Sequence, residues 1–506
     1  MSPPPTAGVL PAAGTLAALV AGGLVLCAAL ALVMRRHPEV FPLLAILALP
    51  FRVPIAADGR TVNLLVPLYV VVGAGTLAHL LPRLLQGLRT GARDRPAPPA
   101  AGEGDGPAPP APPAAPAAAG SNAAAGYVGW ALLAAVALYA LQISYSADRA
   151  KAAENLAFFY IPFGLLFVLL RDVRWTPRLL ERALILLVAM AVVLAGLGFV
   201  EYARKSLFLN PKLIAANQYD NYFRVNSVFF DPSVYGRFLV LVMLNVTTVV
   251  LWGTRRQVQI GAVVLAWLLG GLVTSFSQSS IAALLLGLAV LAAYRWGLRS
   301  TAIASGALLA LALVVLALAP GSWHFGFKGK GGSADNATAG RASLIEGGLE
   351  LFEKRPLQGY GSGSFEREYK RHTSASQATA QNAVSASHTI PVTIAAEQGL
   401  AGLVVYAVLL AVAFLALFTG AGRSPPRIAL AACFAALVLH TWTYSDFLED
   451  PFTWALLAIG VALARAGGPV AEAKAPVGAA PALSVTGAPG DGAAPGFAHP
   501  GAGRPK

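Results

Sequence analysis

The chain has 506 residues, of which 56% are hydrophobic and only 12% are charged, and its mean hydropathy is +0.64. A soluble domain carries about 25% charged residues, so this composition excludes a soluble enzyme with a membrane anchor. The formal net charge of +13 is explained by arginines in loops beside apolar runs, as the positive-inside rule requires. We therefore predict no nucleic-acid partner.

Apolar runs recur along the chain with the length that a helix needs to cross about 30 Å of hydrocarbon. They predict an all-α fold, a polytopic membrane bundle of 12–13 transmembrane helices. The second run is short and contains Pro50 and Pro54, so we expect a broken or re-entrant segment there. The predicted spans are 10–34, 39–56, 61–81, 127–144, 154–170, 180–202, 234–253, 257–274, 278–296, 301–320, 391–420, 428–445 and 451–467.

Arginines cluster in every second connection between these spans, beginning with Arg35 and Arg36. This alternation predicts that the basic connections face the cytoplasm and the others face outward from a bacterial inner membrane. The first residues lack a basic segment, so we expect no cleaved signal peptide. Cys27 and Cys433 both fall inside apolar runs and are expected to be reduced packing residues.

Composition also predicts the organisation of the chain outside the spans. Residues 96–126 contain nine prolines and cannot bury a core. The predicted regions are N-terminal spans at 1–82, a disordered cytoplasmic linker at 83–126, central spans at 127–320 with an outward loop at 203–233, a large outward loop at 321–390, C-terminal spans at 391–467, and a disordered tail at 468–506.

Arg224 lies in the final part of the outward loop 203–233, shortly before the predicted start of a helix. Asp231 is a good N-cap residue and Pro232 suits a first helical position. The arginine has two interpretations: it snorkels to lipid headgroups, or it clamps an anion, since a guanidinium matches a phosphate bidentately.

Arg341 starts a predicted amphipathic helix that lies on the membrane surface or on the bundle and stops before Pro356. The following segment contains Gly359, Gly361 and Gly363. This spacing resembles half of a phosphate-binding loop, but no strand precedes it, and we favour a tight turn.

His388 and Glu397 flank the start of the next predicted span. An outward histidine is either a polar residue at a helix start or a base, because imidazole titrates near neutral pH. A carboxylate two and a half turns into an apolar helix usually faces a polar cavity or a partner.

The charge-free turn at 274–280 is either a short outward turn or a polar surface within the bundle.

The sequence contains no Walker A loop, no HExxH and no cysteine–histidine cluster with metal spacing. We therefore predict no bound cofactor and no metal. The cytoplasmic side also offers no catalytic domain, since its one large segment is the Pro/Ala linker.

The order of these motifs resembles the O-antigen ligase and Wzy-type O-antigen polymerase superfamily of bacterial membrane glycosyltransferases. The resemblance covers residues 200–460 and rests on Arg224, the turn at 275–280, Gly340-Arg341, the glycine segment 355–365, His388 and the stretch 397–402. Two positions depart from the family pattern. Ser227 stands where the family often has glycine, and Asp-Pro-Ser at 231–233 replaces a more usual asparagine.

This resemblance implies a metal-independent, inverting glycosyltransferase of the GT-C type. Its donor is a glycan on undecaprenyl diphosphate, and its acceptor is a hydroxyl of a glycan, a lipid or a protein. Carried over by motif position, Arg224 and Arg341 bind the diphosphate, and His388 acts on the acceptor hydroxyl. We also predict Arg355 and Glu397 as substrate-binding residues.

Two other classes of function remain open at this stage. A transporter or flippase of lipid-linked glycans would carry charged or broken helices at the membrane midplane. A non-catalytic scaffold of an envelope complex needs no such residues. The concentration of ionisable residues in the outward loops favours chemistry at the membrane surface.

Overall fold

The computed structural model describes residues 13–57, 60–91, 119–208, 223–318, 341–372 and 387–467. Contacts divide the chain into residues 1–470 and a second unit, 471–506. That second unit, most of the predicted linker and parts of both long loops lie outside the described residues.

The first unit is built almost entirely of helices. In chain order they are α1 (Ala13–Arg36), α2 (Val40–Ala48), α3 (Val66–Gly75), α4 (Leu81–Gly91), α5 (Ala119–Gln142), α6 (Arg149–Asn155), α7 (Ile161–Arg171), α8 (Pro177–Arg204), α9 (Pro232–Trp252), α10 (Arg255–Thr274), α11 (Gln278–Trp296), α12 (Leu298–Leu318), α13 (Arg341–Lys354), α14 (Phe365–His372), α15 (Ile390–Phe418), α16 (Pro425–Thr443) and α17 (Pro451–Arg465). Single π-helical turns, Thr76–Leu80 and Leu156–Tyr160, join α3 to α4 and α6 to α7. A short 3₁₀ turn, Ala421–Arg423, precedes α16.

The polytopic helical fold is confirmed. Within the described residues, nine helical segments are long and apolar enough to cross a membrane, and two shorter apolar helices, Leu298–Ala310 and Pro451–Arg465, accompany them. Every predicted span except 39–56 is helical over most of its length.

The second predicted span is broken, as its prolines indicated. Helix α2 ends at Ala48, and the chain then forms an antiparallel hairpin of β1 (Val53–Ala57) and β2 (Arg60–Leu64). Pro50 cannot donate to a continuing helix ladder, which explains the break. These two strands are a local addition to the predicted all-α fold, since every other regular element of the described residues is helical.

The predicted disordered linker, 83–126, is also corrected at both of its margins. Helix α4 continues to Gly91 and α5 already begins at Ala119. The alanine-rich sequence before residue 127 has high helix propensity, so the span extends into it. Residues 92–118 lie outside the described part of the chain.

Alternating helix directions give the bundle two distinct ends. Of the described residues, the loop-rich end carries the connecting segments 143–148, 205–208, 223–231, 275–277, 355–364, 387–389 and 444–450. The arginine-rich end carries the basic connections after α1, α7, α9, α11 and α15. The sequence predicted the first end to face outward and the second to face the cytoplasm.

Side-chain caps fix where helices begin at the loop-rich end. Asp231 accepts hydrogen bonds from the backbone N–H groups of Ser233 (2.6 Å) and Val234 (3.3 Å), and Pro232 takes the first helical position. Asp450 caps α17 in the same way through Phe452. These caps confirm the predicted start of α9, because each satisfies an N–H group that a helix start leaves unbonded.

Helices α9 and α16 form the centre of the bundle. Buried positions make up 67% of the apolar stretch of α9 and 72% of that of α16, against 22% for α10. Polar side chains on these two helices are therefore withdrawn from lipid, and they need protein partners.

Candidate functional site

The guanidinium of Arg237 is the most heavily bonded group in the described bundle. It lies on α9 and is 2% exposed. Its Nη1 forms an ion pair with Asp450 and donates to the carbonyl of Asp446 at 2.9 Å. Its Nη2 donates to the carbonyl of Ser445 at 2.6 Å, and its Nε donates to Nδ1 of His440 at 3.2 Å. The connection 444–450 is thereby fixed to the bundle's central helix.

His440 extends this network to the turn between α10 and α11. Its Nε2 lies 3.0 Å from Oγ of Ser280, which in turn lies 2.7 Å from Oγ of Ser277. The serine turn, residues 275–280, is buried at each of its serines. The two interpretations of this segment are therefore both correct in part: it is a short turn, and it is a polar surface within the bundle.

Tyr444 connects the network to His388. Its ring lies 5.7 Å from the ring of His440 and 5.5 Å from the ring of His388. Burial and the nearby carboxylate of Asp231 raise the pKa of the phenol. Tyr444 therefore keeps its proton, and it lies between the start of α9 and the residue that precedes α15.

His388 itself adopts an unusual backbone conformation, with φ at +54°. Non-glycine residues rarely occupy this left-handed region, where strain costs about 1–3 kcal/mol. Ser387 and Thr389 hold the backbone on both sides: Oγ of Ser387 donates to the carbonyl of Thr389 at 2.7 Å. Strain of this kind concentrates at functional positions, which favours His388 as a site residue.

Arg224 lies at the same end of the bundle and contacts the serine turn. Its Nε donates to the carbonyl of Ser275 at 3.2 Å, and the neighbouring Val225 N–H donates to Thr274 at 3.2 Å. The arginine is therefore anchored to protein, although it remains partly exposed. The contact path from Arg224 through the serine turn, His440 and Tyr444 to His388 spans the loop-rich end.

Glu201, near the end of α8, holds the backbone beside Arg224. Its carboxylate accepts hydrogen bonds from the N–H groups of Asn226 (3.2 Å) and Ser227 (2.7 Å). Ser227 has φ at +52°, a conformation that glycine adopts without strain. This explains why glycine suits the position, and Ser227 offsets the strain by donating from Oγ to the carbonyl of Leu194 at 2.8 Å.

The glycine segment forms a tight turn, as predicted, and we call residues 356–365 the glycine turn. Gly359, Gly361 and Gly363 all have positive φ. A Cβ at Gly361 would approach the Cα of Ser146 to 2.3 Å, and one at Gly359 would approach the carbonyl of Glu397 to 2.3 Å. The glycines are thus required by backbone conformation and by the close approach of two neighbouring segments.

Glu397 organises this turn. Its carboxylate accepts hydrogen bonds from the N–H groups of Gly363 (2.9 Å) and Phe365 (3.0 Å), and its carbonyl accepts one from Gly361 (2.7 Å). The partner that a buried carboxylate requires is therefore the glycine turn. A substrate contact of Glu397 remains a prediction, and its contacts support an indirect role through the turn.

Helix α13, which begins at Arg341, packs on the bundle. Leu344 and Leu351 are buried with Tyr360 and Phe365 in a separate apolar cluster beside α15. A Cβ at Gly348 would meet Val392 of α15 at 2.5 Å, so the two helices are in close contact. The side chain of Arg341 lies outside the described residues, and its predicted role stays a prediction.

Arg355 is exposed and lies with its guanidinium carbon 4.6 Å from the centroid of the Tyr360 ring. This cation–π contact holds the arginine on the outer surface of the glycine turn. The structure thus places Arg355 at the loop-rich end, and its substrate contact remains a prediction.

Glu449 forms a second polar centre in the connection 444–450. Its Oε1 accepts a hydrogen bond from Nδ2 of Asn155 at 3.0 Å, and the same amide donates to the hydroxyl of Tyr139 at 3.1 Å. Burial and the neighbouring carboxylate of Asp446 raise the pKa of Glu449 to about 8. Glu449 therefore holds its proton to a higher pH than an ordinary carboxylic acid does.

Sequence reasoning missed Arg237, His440 and Asp450. A signal was present, because Arg237 and His440 each lie inside a predicted span, where an ionisable residue usually serves a buried partner or a function. The same rule singled out Glu397. What the sequence did not show was that Arg237 forms a hydrogen bond and an ion pair with residues about 200 positions later in the chain.

We predict that Arg237→Met destabilises the protein by about 3–5 kcal/mol, because it leaves the Asp450 carboxylate buried without its counter-ion. Lys370→Met breaks the exposed pair with Glu366 and should cost about 0–1 kcal/mol. Thermal unfolding of the purified variants checks both values. The double variant Arg237→Met/Asp450→Asn should be less destabilised than Arg237→Met; equal or greater loss would contradict the charge argument.

Gly361→Ala should destabilise the protein far more than Gly297→Ala. Both glycines have φ at +91°, but a Cβ at Gly297 meets nothing within 4 Å. Backbone strain of about 1–3 kcal/mol is therefore common to both variants, and the collision with Ser146 is specific to the first. Unfolding midpoints of the two variants measure the difference, and similar midpoints would show that the glycine turn tolerates displacement.

We expect the protein to lose stability as pH rises from 6 to 8. The folded state holds the Glu449 proton up to about pH 8, whereas the unfolded chain releases it near 4.5, so rising pH favours unfolding across that window. The melting temperature of the parent should therefore fall by on the order of a few degrees between pH 6 and 8, and Glu449→Gln should not show this decrease. Glu350→Gln, at an exposed position of α13, controls for net charge; an unchanged slope in Glu449→Gln would refute the assignment.

Comparison with protein families finds a match to one segment of the chain. A family model described as O-antigen ligase matches residues 263–407, which run from α10 into α15 and include the serine turn, the glycine turn, Arg341 and His388. Comparison with curated proteins finds no match. Arg224 and Arg237 lie before the matched segment. The chain is therefore a multi-pass helical membrane protein whose residues 263–407 are similar to the O-antigen ligase family.

Proposed function

We propose that this protein transfers a glycan from an undecaprenyl diphosphate carrier to an acceptor hydroxyl at the outer face of a bacterial inner membrane. The observation that carries the proposal is the contact path at the loop-rich end. It links Arg224, the serine turn, Tyr444 and His388, and part of it lies within the O-antigen ligase match.

The orientation follows from the distribution of charge. The arginine-rich end carries short basic connections, which remain on the cytoplasmic side during insertion. The loop-rich end then faces outward, where a lipid-linked glycan would meet its acceptor. Helix α13 and the glycine turn cover this end of the bundle beside α15.

The donor's diphosphate requires neutralisation as it leaves. Arg224 is anchored through Nε to Ser275, which fixes the plane of its guanidinium for bidentate phosphate binding. Arg341, at the first position of α13, is proposed as the second phosphate ligand. Two guanidinium groups stabilise the leaving diphosphate without a metal, and fixed charges of this kind supply a large share of catalysis.

The proposed reaction is a single displacement. The acceptor hydroxyl oxygen forms a bond with the anomeric carbon from the face opposite to the diphosphate, which inverts that carbon. The bond between the anomeric carbon and the phosphate oxygen breaks, and its electron pair leaves on undecaprenyl diphosphate. His388 takes the hydroxyl proton, since an imidazole is a suitable base near neutral pH.

The test is release of undecaprenyl diphosphate from a lipid-linked glycan by the purified protein with EDTA present. We expect activity in the parent and a loss of about 10²–10³-fold in Arg224→Ala and Arg341→Ala, which is the usual cost of removing one transition-state donor. His388→Ala should lose about 10²–10⁴-fold, the usual contribution of a general base.

Lys370→Ala provides the matched control, because it removes an exposed cation from α14 at the same end of the bundle. It should retain parental activity. If all three site variants match the parent, the residue assignment fails. If the parent releases no carrier but moves the lipid-linked glycan across proteoliposomes, the transporter hypothesis replaces the transferase.

A further inference from the structure

A cavity of about 190 Å³ opens at the arginine-rich end, on the opposite side of the bundle from the proposed reaction. It lies between the connection of α1 to α2, the π-helical turn Thr76–Leu80, and the connection of α7 to α8. Its floor is apolar and includes Phe41, Val168 and Leu179. None of the residues that surround it belongs to the contact path at the loop-rich end.

The rim of this cavity is charged. Arg83, Arg174 and His79 contribute cationic or titratable groups, and Glu39 and Asp172 contribute carboxylates. Both carboxylates are already paired: Asp172 accepts from Arg83 at 2.9 Å, and Glu39 pairs with Arg182. The segments that form this rim, 35–39, 79–83 and 171–182, contain seven arginines against three carboxylates. The rim therefore attracts an anion.

The cavity has a specific backbone feature as well. His79 lies in the π-helical turn, with its ring edge against Phe41 at 6.2 Å between centroids. Arg35 donates to the carbonyl of Leu77 in the same turn at 3.4 Å. Such turns are rare and are frequent at functional sites. This one places His79 and Leu80 in the cavity lining.

Size and surroundings indicate what class of anion fits. Pockets for whole drug-sized ligands hold about 300–1,000 Å³, so this cavity suits a headgroup alone. The adjoining helix surface exposes Leu77, Leu81 and Leu84, which offers a path for acyl chains. Basic pockets between membrane helices on the cytoplasmic side bind anionic lipid headgroups.

We propose that this cavity binds the phosphate of an anionic glycerophospholipid such as phosphatidylglycerol, with Arg83 and Arg174 as the phosphate ligands and the acyl chains along the exposed leucines. The site does not depend on the glycosyl-transfer chemistry. It requires only that the arginine-rich end lies at a membrane surface. Lipid bound there connects α2, α4, α7 and α8, which meet around the cavity.

The test measures stabilisation of the purified full chain in neutral detergent by phosphatidylglycerol, with phosphatidylcholine of the same acyl chains for comparison. We expect phosphatidylglycerol to raise the melting temperature of the parent and phosphatidylcholine to leave it unchanged. Arg174→Gln should weaken the apparent affinity by about tenfold, the effect of one charge-assisted hydrogen bond. Arg83→Gln/Arg174→Gln should abolish the shift.

Arg299→Gln is the matched control, because it removes an exposed arginine from the same end of the bundle without touching the cavity. It should bind phosphatidylglycerol as the parent does. Equal weakening in Arg299→Gln and Arg174→Gln would overturn the proposal, since it would show a diffuse surface charge. Competition by millimolar inorganic phosphate would overturn it too, by showing a site for a free anion.

A second measurement uses the unmodified protein, so it does not depend on the folding of the variants. Phosphatidylglycerol with a photoreactive group in its acyl chain is cross-linked to the parent, and the adducts are located by mass spectrometry. Adducts concentrated between Leu77 and Leu85 support the site. Adducts spread evenly over the helices would contradict it.

Discussion

The buried guanidinium of Arg237 is the constraint on which the loop-rich end depends. A charge at 2% exposure within an apolar bundle is tolerated only when it is paired and hydrogen-bonded. Asp450, His440 and two carbonyls of the connection 444–450 supply those partners. Because losing any of these partners would destabilise the buried charge, the contacts fix α9, α16 and the start of α17 relative to one another. Tyr444, in the same connection, is placed between Asp231 and His388 as a consequence.

A second constraint fixes the other side of this end. The carboxylate of Glu397 is bonded to two N–H groups of the glycine turn. The turn approaches Ser146, and also Gly399, whose non-helical backbone kinks α15, too closely for any side chain. Helix α15 therefore begins in a set position, with His388 just before it. The strained φ of His388 is maintained by the hydrogen bonds of Ser387 with Thr389 on both sides of it, and the ring of Tyr444 packs against its imidazole.

Much of the architecture could be predicted, since hydropathy and helix caps are local properties of the sequence. Pro50 predicted the break after α2, Pro232 the start of α9, and Pro356 the end of α13. Pairings across the chain could not be predicted. Nothing near Arg237 indicates that Asp450 neutralises it, and nothing near Glu397 indicates a turn more than thirty residues earlier. The hairpin was missed because its first strand, Val53–Ala57, is as apolar as a span, and the polar residues after it do not by themselves indicate a second strand.

The depth of the ionisable residues bears on the kind of chemistry this bundle performs. In the described spans, the buried side chains of Glu201, Arg237, Glu397 and His440 all lie within about two helical turns of the loop-rich end, and Arg427 lies at the other end. A transporter concentrates such groups near the midplane, where its substrate passes. In this chain the buried ionisable side chains instead fix the backbone at the loop-rich end of the bundle. This arrangement suits the proposed reaction between a carrier lipid and an acceptor, because both of its substrates would be held at one end of the bundle, where the backbone is fixed.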